Sequence, residues 1–132
     1  MTQKSSTSTV LVVDDDDAIR DLVAMVLADA GYTVRTAADG AAAVALARAT
    51  KPALILMDVN LPRLDGLSAC RALRDDARTA KLPITIMSSM PVQDQQLRAC
   101  RADRFLAKPF DIDRLLGEVA HYVAPGITSA PR

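Results

Sequence analysis

The side chains able to do chemistry in this chain are acids, hydroxyls and one lysine, each set at the end of a short apolar run. Asp14 and Asp15 follow VLVV, Asp58 closes LILM, Ser88 and Ser89 follow ITIM, and Lys108 follows FLA. Three carboxylates brought to one rim repel one another, and such a group either takes up protons or recruits a cation. A hard divalent ion such as magnesium suits them, because it takes one or two carboxylates, several waters and a phosphate oxygen rather than a complete protein cage. Asp15 and Asp58 read as its ligands, with Asp14 assisting. Such a site expects a phosphate: Lys108 pairs with the anion as a compact charge, and Ser88 donates a hydrogen bond to another of its oxygens. Asp58 is the candidate nucleophile, and catalysis would be positioning plus charge neutralisation. No P-loop is present to bind ATP. The sole histidine, His121, lies far along the last helical segment, so the phosphoryl group must arrive from another molecule.

The elements that position these residues follow from hydrophobic period. Val10 to Val13, Thr33 to Ala37, Leu54 to Met57, Ile84 to Met87 and Phe105 to Ala107 read as strands. Helical spacing alternates with them. Ile19, Leu22, Val23, Val26 and Leu27 form one helix, capped by Asp16 and ended by Gly31. Asp39 precedes the helical AAAVALARA, Gly66 opens LSACRALRD, Val92 begins a weaker segment to Cys100, and Asp111 caps IDRLLGEVAHYV. Five βα repeats whose strands are apolar throughout predict an α/β fold with a parallel sheet covered by helices on both faces. In such open sheets ligands sit beyond the carboxyl ends of the strands. Every reactive residue falls on that edge.

Composition narrows the function. The chain has 132 residues, enough for one domain with its own core. Lys plus Arg equals Asp plus Glu at 16 each, so the basic surplus of a nucleic-acid binder is missing. Tryptophan is absent and aromatics make up 3%, which leaves little to stack on bases. Cys70 and Cys100 follow no metal-ligand spacing and read as small packing residues, in keeping with a reduced, cytoplasmic setting. MTQKSSTST has no apolar h-region, and no run approaches the roughly 18 apolar residues of a membrane span. Residues 1–8 and 125–132 read as flexible tails around a domain at 9–124.

These residues and their order resemble the receiver domain of the two-component response regulator family over about residues 9–124. The resemblance implies a flavodoxin-like, doubly wound (βα)5 fold with strand order 2-1-3-4-5. It implies that Asp14, Asp15, Asp58 and the backbone carbonyl of Asn60 hold magnesium. Asp58 would take a phosphoryl group from the phosphohistidine of a partner histidine kinase or histidine phosphotransfer protein. Pro62, Asp65 and Gly66 would shape the following loop, Ser88 and Lys108 would contact the phosphate, Ser88 and Phe105 would form the switch, and the Lys108–Pro109 bond would be cis. The sequence departs from the family pattern in places. Ser88 to Lys108 is about two residues short, Arg101 and Ala102 replace a glycine-alanine pair, Ser89 replaces an alanine, and Phe105 replaces a tyrosine. Ser89 reads as structural, and Phe105, lacking a hydroxyl, as a core residue first and a switch second.

The expectation is a stand-alone signalling phosphoacceptor, not an enzyme acting on outside substrates. With no DNA-binding or enzymatic segment after residue 124, output would pass through contact with a downstream protein, with a homodimer on phosphorylation as a further partner. Arg98, Arg101 and Arg104, every third residue, read as a solvated face or a docking surface. Two rivals remain. A haloacid-dehalogenase-type phosphohydrolase also uses a strand-end aspartate, but would want an acid where Asn60 stands. An interaction module that is never phosphorylated would not need the intact acids, Ser88 and Lys108.

Overall fold

The structure is a computed structural model and describes residues 9–124; the two expected tails lie outside the described residues. In chain order the elements are β1 (Thr9–Val13), α1 (Asp17–Asp29), β2 (Thr33–Ala37), α2 (Gly40–Thr50), β3 (Leu54–Asp58), α3 (Gly66–Arg74), β4 (Ile84–Ser88), α4 (Asp94–Cys100), β5 (Arg104–Ala107) and α5 (Ile112–Tyr122). All strand pairs are parallel, in the order β2-β1-β3-β4-β5. The expected α/β alternation and strand order are therefore present.

Sheet and helices are matched by alternation within the strands. Successive strand residues point to opposite faces. Leu11, Val13, Ile55, Met57, Ile84 and Ile86 meet Ala43, Ala47, Ala69, Cys70, Leu73 and Cys100 from α2, α3 and α4. Their neighbours Val10, Val12, Leu54, Leu56 and Met87 meet Val23, Leu27, Leu115 and Val119 from α1 and α5. β1, β3 and β4 are buried along their whole length, whereas β2, at an edge, is largely exposed.

Most helix starts follow the aspartate caps. Asp16, Asp39, Asp65 and Asp111 each accept a backbone N–H of the first turn. Gly31, just past α1, takes φ 101°, the left-handed value that favours glycine after a helix. α4 differs from expectation. It begins at Asp94 rather than Val92, because Gln93 is still extended and closes the helix start by donating its N–H to the Gln96 side chain. The arginine triplet does not lie on one element: Arg98 lies on α4, Arg101 ends that helix at φ 61°, and Arg104 lies on β5, and all three are exposed. Arg101 pairs with Asp75 at 2.6 Å and Arg104 with Glu118 at 2.8 Å.

One polar side chain fastens the α3–α4 side. Arg74 donates to the carbonyls of Arg101, Ala80 and Leu82 at 2.8, 3.1 and 2.6 Å and to Asp103 at 2.7 Å. Asp103 accepts in turn from the Ile84 N–H at 2.8 Å. A side chain only 8% exposed thus ties α3 to the end of α4 and to the segments that lead into β4 and β5.

Two glycines give opposite expectations. A Cβ at Gly66 would lie 2.0 Å from the Asp58 carbonyl oxygen, while one at Gly117 would meet nothing within 4 Å. Helix propensity favours alanine at both, but at Gly66 the clash is with backbone and must dominate. Gly66→Ala should lower stability by about 1–3 kcal/mol, and Gly117→Ala should raise it by about 0.5–1 kcal/mol. Urea unfolding of the two variants against the parent checks both signs.

Candidate functional site

Strand order reverses beside β1: the chain runs outward to β2 and then crosses back to β3 on the other side. Such a reversal opens a crevice beyond the strand ends. The pairing register aligns what projects there. Val13 pairs with Met57, Asp58 with Met87, and Ser88 with Ala107, so Asp14, Asp58, Ser88 and Lys108 end up along one edge. Backbone bonds continue past the strands and hold them: Asp14 N–H donates to Ala37 at 3.2 Å, Val59 N–H to Met87 at 3.0 Å, and Lys108 N–H to Ser88 at 2.9 Å.

Carboxylate oxygens of Asp14, Asp15 and Asp58 lie within 4.8 Å of one another. Asp14 is 1% exposed and Asp58 6%, while Asp15 is exposed. One cation serves the two buried acids. Lys108 Nζ donates to Asp14 Oδ2 at 2.7 Å and to Asp58 Oδ2 at 3.3 Å. Asp14 also accepts the Asp16 N–H at 3.0 Å through Oδ1, and its carbonyl accepts from Arg20 at 2.8 Å.

Burial raises the pKa of Asp58, and the charge of Asp14 adds to the rise; the Lys108 ammonium and a backbone hydrogen bond from Asn60 oppose it without cancelling it. For Lys108 burial pulls the value down, but the hydrogen bond to Asp14 and the charges of Asp58 and Asp14 outweigh it, and the net direction is up. The lysine therefore stays charged, and the cluster is short of positive charge. Three carboxylates face one ammonium, and every donor they offer is oxygen. A hard divalent cation such as magnesium fits that donor set.

A cavity of about 540 Å³ opens on the cluster. Asp14, Asp15, Asp58, Asn60, Ser89 and Lys108 form its polar wall. Its other wall is apolar, built from Ile19, Leu22, Val23, Pro109 and Phe110. The Lys108–Pro109 bond is cis, as expected. The two serines are placed differently. Ser88 is 2% exposed, and its Oγ accepts the Met90 N–H at 3.0 Å, whereas Ser89, read as structural, lines the cavity. Phe105 lies away from the acids. It is half-buried against the α2–α4 side of the core and lines a separate cavity of about 290 Å³ with Asp94, Leu97, Arg98, Ala102, Asp103 and Arg104.

Two residues, one beside the cavity and one near the starts of β4 and β5, were not placed by the sequence. Leu22 sits on the apolar stripe of α1, which made it a core candidate, yet it is 54% exposed beside the cavity. Glu118, the chain's one glutamate, is buried and accepts from Thr85 at 2.9 Å and Arg104 at 2.8 Å, linking β4, β5 and α5. Its isolation in composition was the only hint.

Comparison with known proteins agrees with this geometry. The response regulator receiver domain family matches residues 10–120. RpaA of Synechocystis, a DNA-binding dual master transcriptional regulator, is 43% identical over 112 residues, covering 83% of this chain and 46% of that protein. The chain spans about half the length of the curated relatives it matches. Among solved structures, the chemotaxis response regulator CheY4 of Vibrio cholerae is 35% identical with a TM-score of 0.82, over 88% of this chain and 98% of that one. The receiver domain of a Pseudomonas aeruginosa sensor histidine kinase, solved with a magnesium ion coordinated in its active-site cleft, is 30% identical with a TM-score of 0.80 over 87% and 96%. The fold, its acid-lined crevice and these matches together establish that the chain belongs to the response regulator receiver domain family of two-component signalling.

Proposed function

We propose that this domain accepts a phosphoryl group on Asp58 from the phosphohistidine of a partner histidine kinase or histidine phosphotransfer protein. The observation that carries the reading is the charge deficit at the rim: three clustered carboxylates share one lysine, and that lysine already contacts the acid that would react. Asp14, Asp15, Asp58 and the Asn60 carbonyl would hold magnesium, which when bound supplies the positive charge that lets an anionic phosphoryl group approach. An Asp58 oxygen forms the new P–O bond as the P–N bond of the donor breaks, and the donor imidazole leaves with the electron pair. Lys108 holds the transferred oxygens, and Ser88, whose Oγ accepts the Met90 N–H through a lone pair, still has its O–H to donate to them. That donation draws Ser88 and the loop after β4 toward the site. Its displacement is transmitted along β4 to Phe105, which has a cavity beside it and α4 above it.

The output is then a change in the surface formed by α4, β5 and α5, which biases a two-state equilibrium rather than creating a new fold. On this reading the chain works in the cytoplasm as a signalling module, recognises a downstream protein, and can pair with a second phosphorylated copy. A second reading has one support, the DNA-binding function named for RpaA. In it the receiver governs an attached DNA-binding part instead of a separate protein. Hydrolysis of outside phosphate esters has less support, since Asn60 stands where that chemistry would place an acid.

Incubation with magnesium and a small phosphodonor, followed by intact mass measurement, should add one acid-labile phosphoryl group. Asp58→Asn and chelation of the metal should each abolish it, and Lys108→Met should slow it on the order of 10²-fold. An unchanged mass in the parent would remove the proposal.

Electrostatics give a second check. Because the Asp58 pKa is raised, the folded state binds this proton more tightly than the unfolded chain does. Ionisation therefore costs stability, beginning near the ordinary aspartate value of about 3.9 and reaching its full extent above the raised folded value. In chelator, Asp58→Asn should be more stable than the parent at neutral pH, and the difference should shrink as pH falls below that window. Urea midpoints across pH measure it.

A further inference from the structure

The two cysteines, thirty residues apart in sequence, are brought together by the packing of α3 against α4. Cys70 on α3 points its Sγ at the carbonyl oxygen of Cys100, the last residue of α4, at 3.1 Å, and Cys100 Sγ points at the Leu97 carbonyl at 3.4 Å. Both residues are fully buried and unbridged. In this closed arrangement they are inert, since burial, reinforced by the neighbouring Cys100, pushes the Cys70 thiol up and keeps it protonated.

The helix that covers them is weakly held. α4 has seven residues, and Cys100 is its one buried side chain; Leu97 is only partly buried. An element with so little apolar attachment opens at much lower cost than the whole domain. Its opening exposes both thiols, and its closing returns the Cys70 sulfur to 3.1 Å from the Cys100 carbonyl, so the two residues meet again.

We infer that Cys70 and Cys100 are an oxidation site, at which a hydroperoxide produces an internal disulfide that staples α4 to α3. On opening, the Cys100 thiol loses its proton to solvent and the thiolate attacks the peroxide. An S–O bond forms, the O–O bond breaks, and hydroxide leaves, giving a sulfenic acid. While α4 is open the Cys70 thiol also loses its proton to solvent, and as the helix returns the Cys70 thiolate attacks that sulfur; the S–S bond forms, the S–O bond breaks, and the departing hydroxide takes up a proton to give water. Two thiol hydrogens are lost and hydrogen peroxide is reduced to two waters. The cystine then holds the short helix that borders Phe105. This functional consequence rests on the phosphoacceptor reading, because it restrains the face that phosphorylation is proposed to reshape.

The test is treatment of the full chain with hydrogen peroxide, alkylation of remaining thiols under denaturing conditions, intact mass and peptide mapping. The expected result is a loss of two hydrogens and a Cys70–Cys100 linked peptide, absent from Cys70→Ala and Cys100→Ala. Leu97→Ala, which loosens α4 without touching sulfur, should speed the reaction several-fold. Free thiols after exposure that oxidises a small-molecule dithiol, over-oxidised cysteine without a link, or a link only between chains would each overturn the site. The parent protein alone decides this, even if a variant fails to fold. Phosphorylation by a small phosphodonor with magnesium is then compared before and after oxidation. The oxidised form should react several-fold more slowly than the reduced form, and equal rates would overturn the restraint. Failure of the reduced form to react would instead count against the phosphoacceptor reading and leave the disulfide result standing.

Discussion

One ammonium divided between two buried carboxylates sets the character of this domain. From the end of β5, Lys108 reaches Asp58 across one strand and Asp14 across two, and it does so at a rim where a third acid is within 4.8 Å. A buried charge is tolerated only when paired. Here pairing is incomplete, so the site holds unrelieved repulsion that further positive charge would lower. The rest of the fold supports this tension. β1, β3 and β4 are buried on both faces and cannot slide without exposing side chains, so the acids cannot relax apart.

The same rigidity lets a change at the rim travel. β4 carries Ser88 at its end, and its Ile86 pairs with Phe105 on β5, so a shift in the loop after Ser88 acts on a strand already joined to the other side of the sheet. Two polar clusters frame that route. Glu118 fastens β4 and β5 to α5 through Thr85 and Arg104, while Arg74 fastens α3 to the segments on either side of β4 and α4. Between these fixed points α4 is short and shallowly seated. Elements with few buried apolar contacts open first, which singles out α4. Arg101 adds to this, since a non-glycine residue at φ 61° ends the helix in a backbone conformation that side chains resist.

Much was legible in one dimension because the relevant physics is local or periodic. Continuous apolar runs such as VLVV and LILM identify buried parallel strands, alternation with helical spacing identifies crossovers, and aspartates before helices identify caps. Once parallel order is accepted, residues just after strands must share an edge, which is how Asp14, Asp15, Asp58 and Lys108 could be grouped before any coordinates. What could not be read were quantities set by three-dimensional neighbours. The start of α4 depended on a side-chain bond between Gln93 and Gln96, and the regular spacing of Arg98, Arg101 and Arg104 was broken by a helix end that propensity does not mark. That the Ser88 hydroxyl accepts the Met90 N–H while Ser89 lines the cavity could not be read either. Cys70 and Cys100 looked unrelated because thirty intervening residues hide a contact that exists only when α3 and α4 pack together. Period and charge order are properties of a chain, but the partner of a buried polar atom is a property of its surroundings.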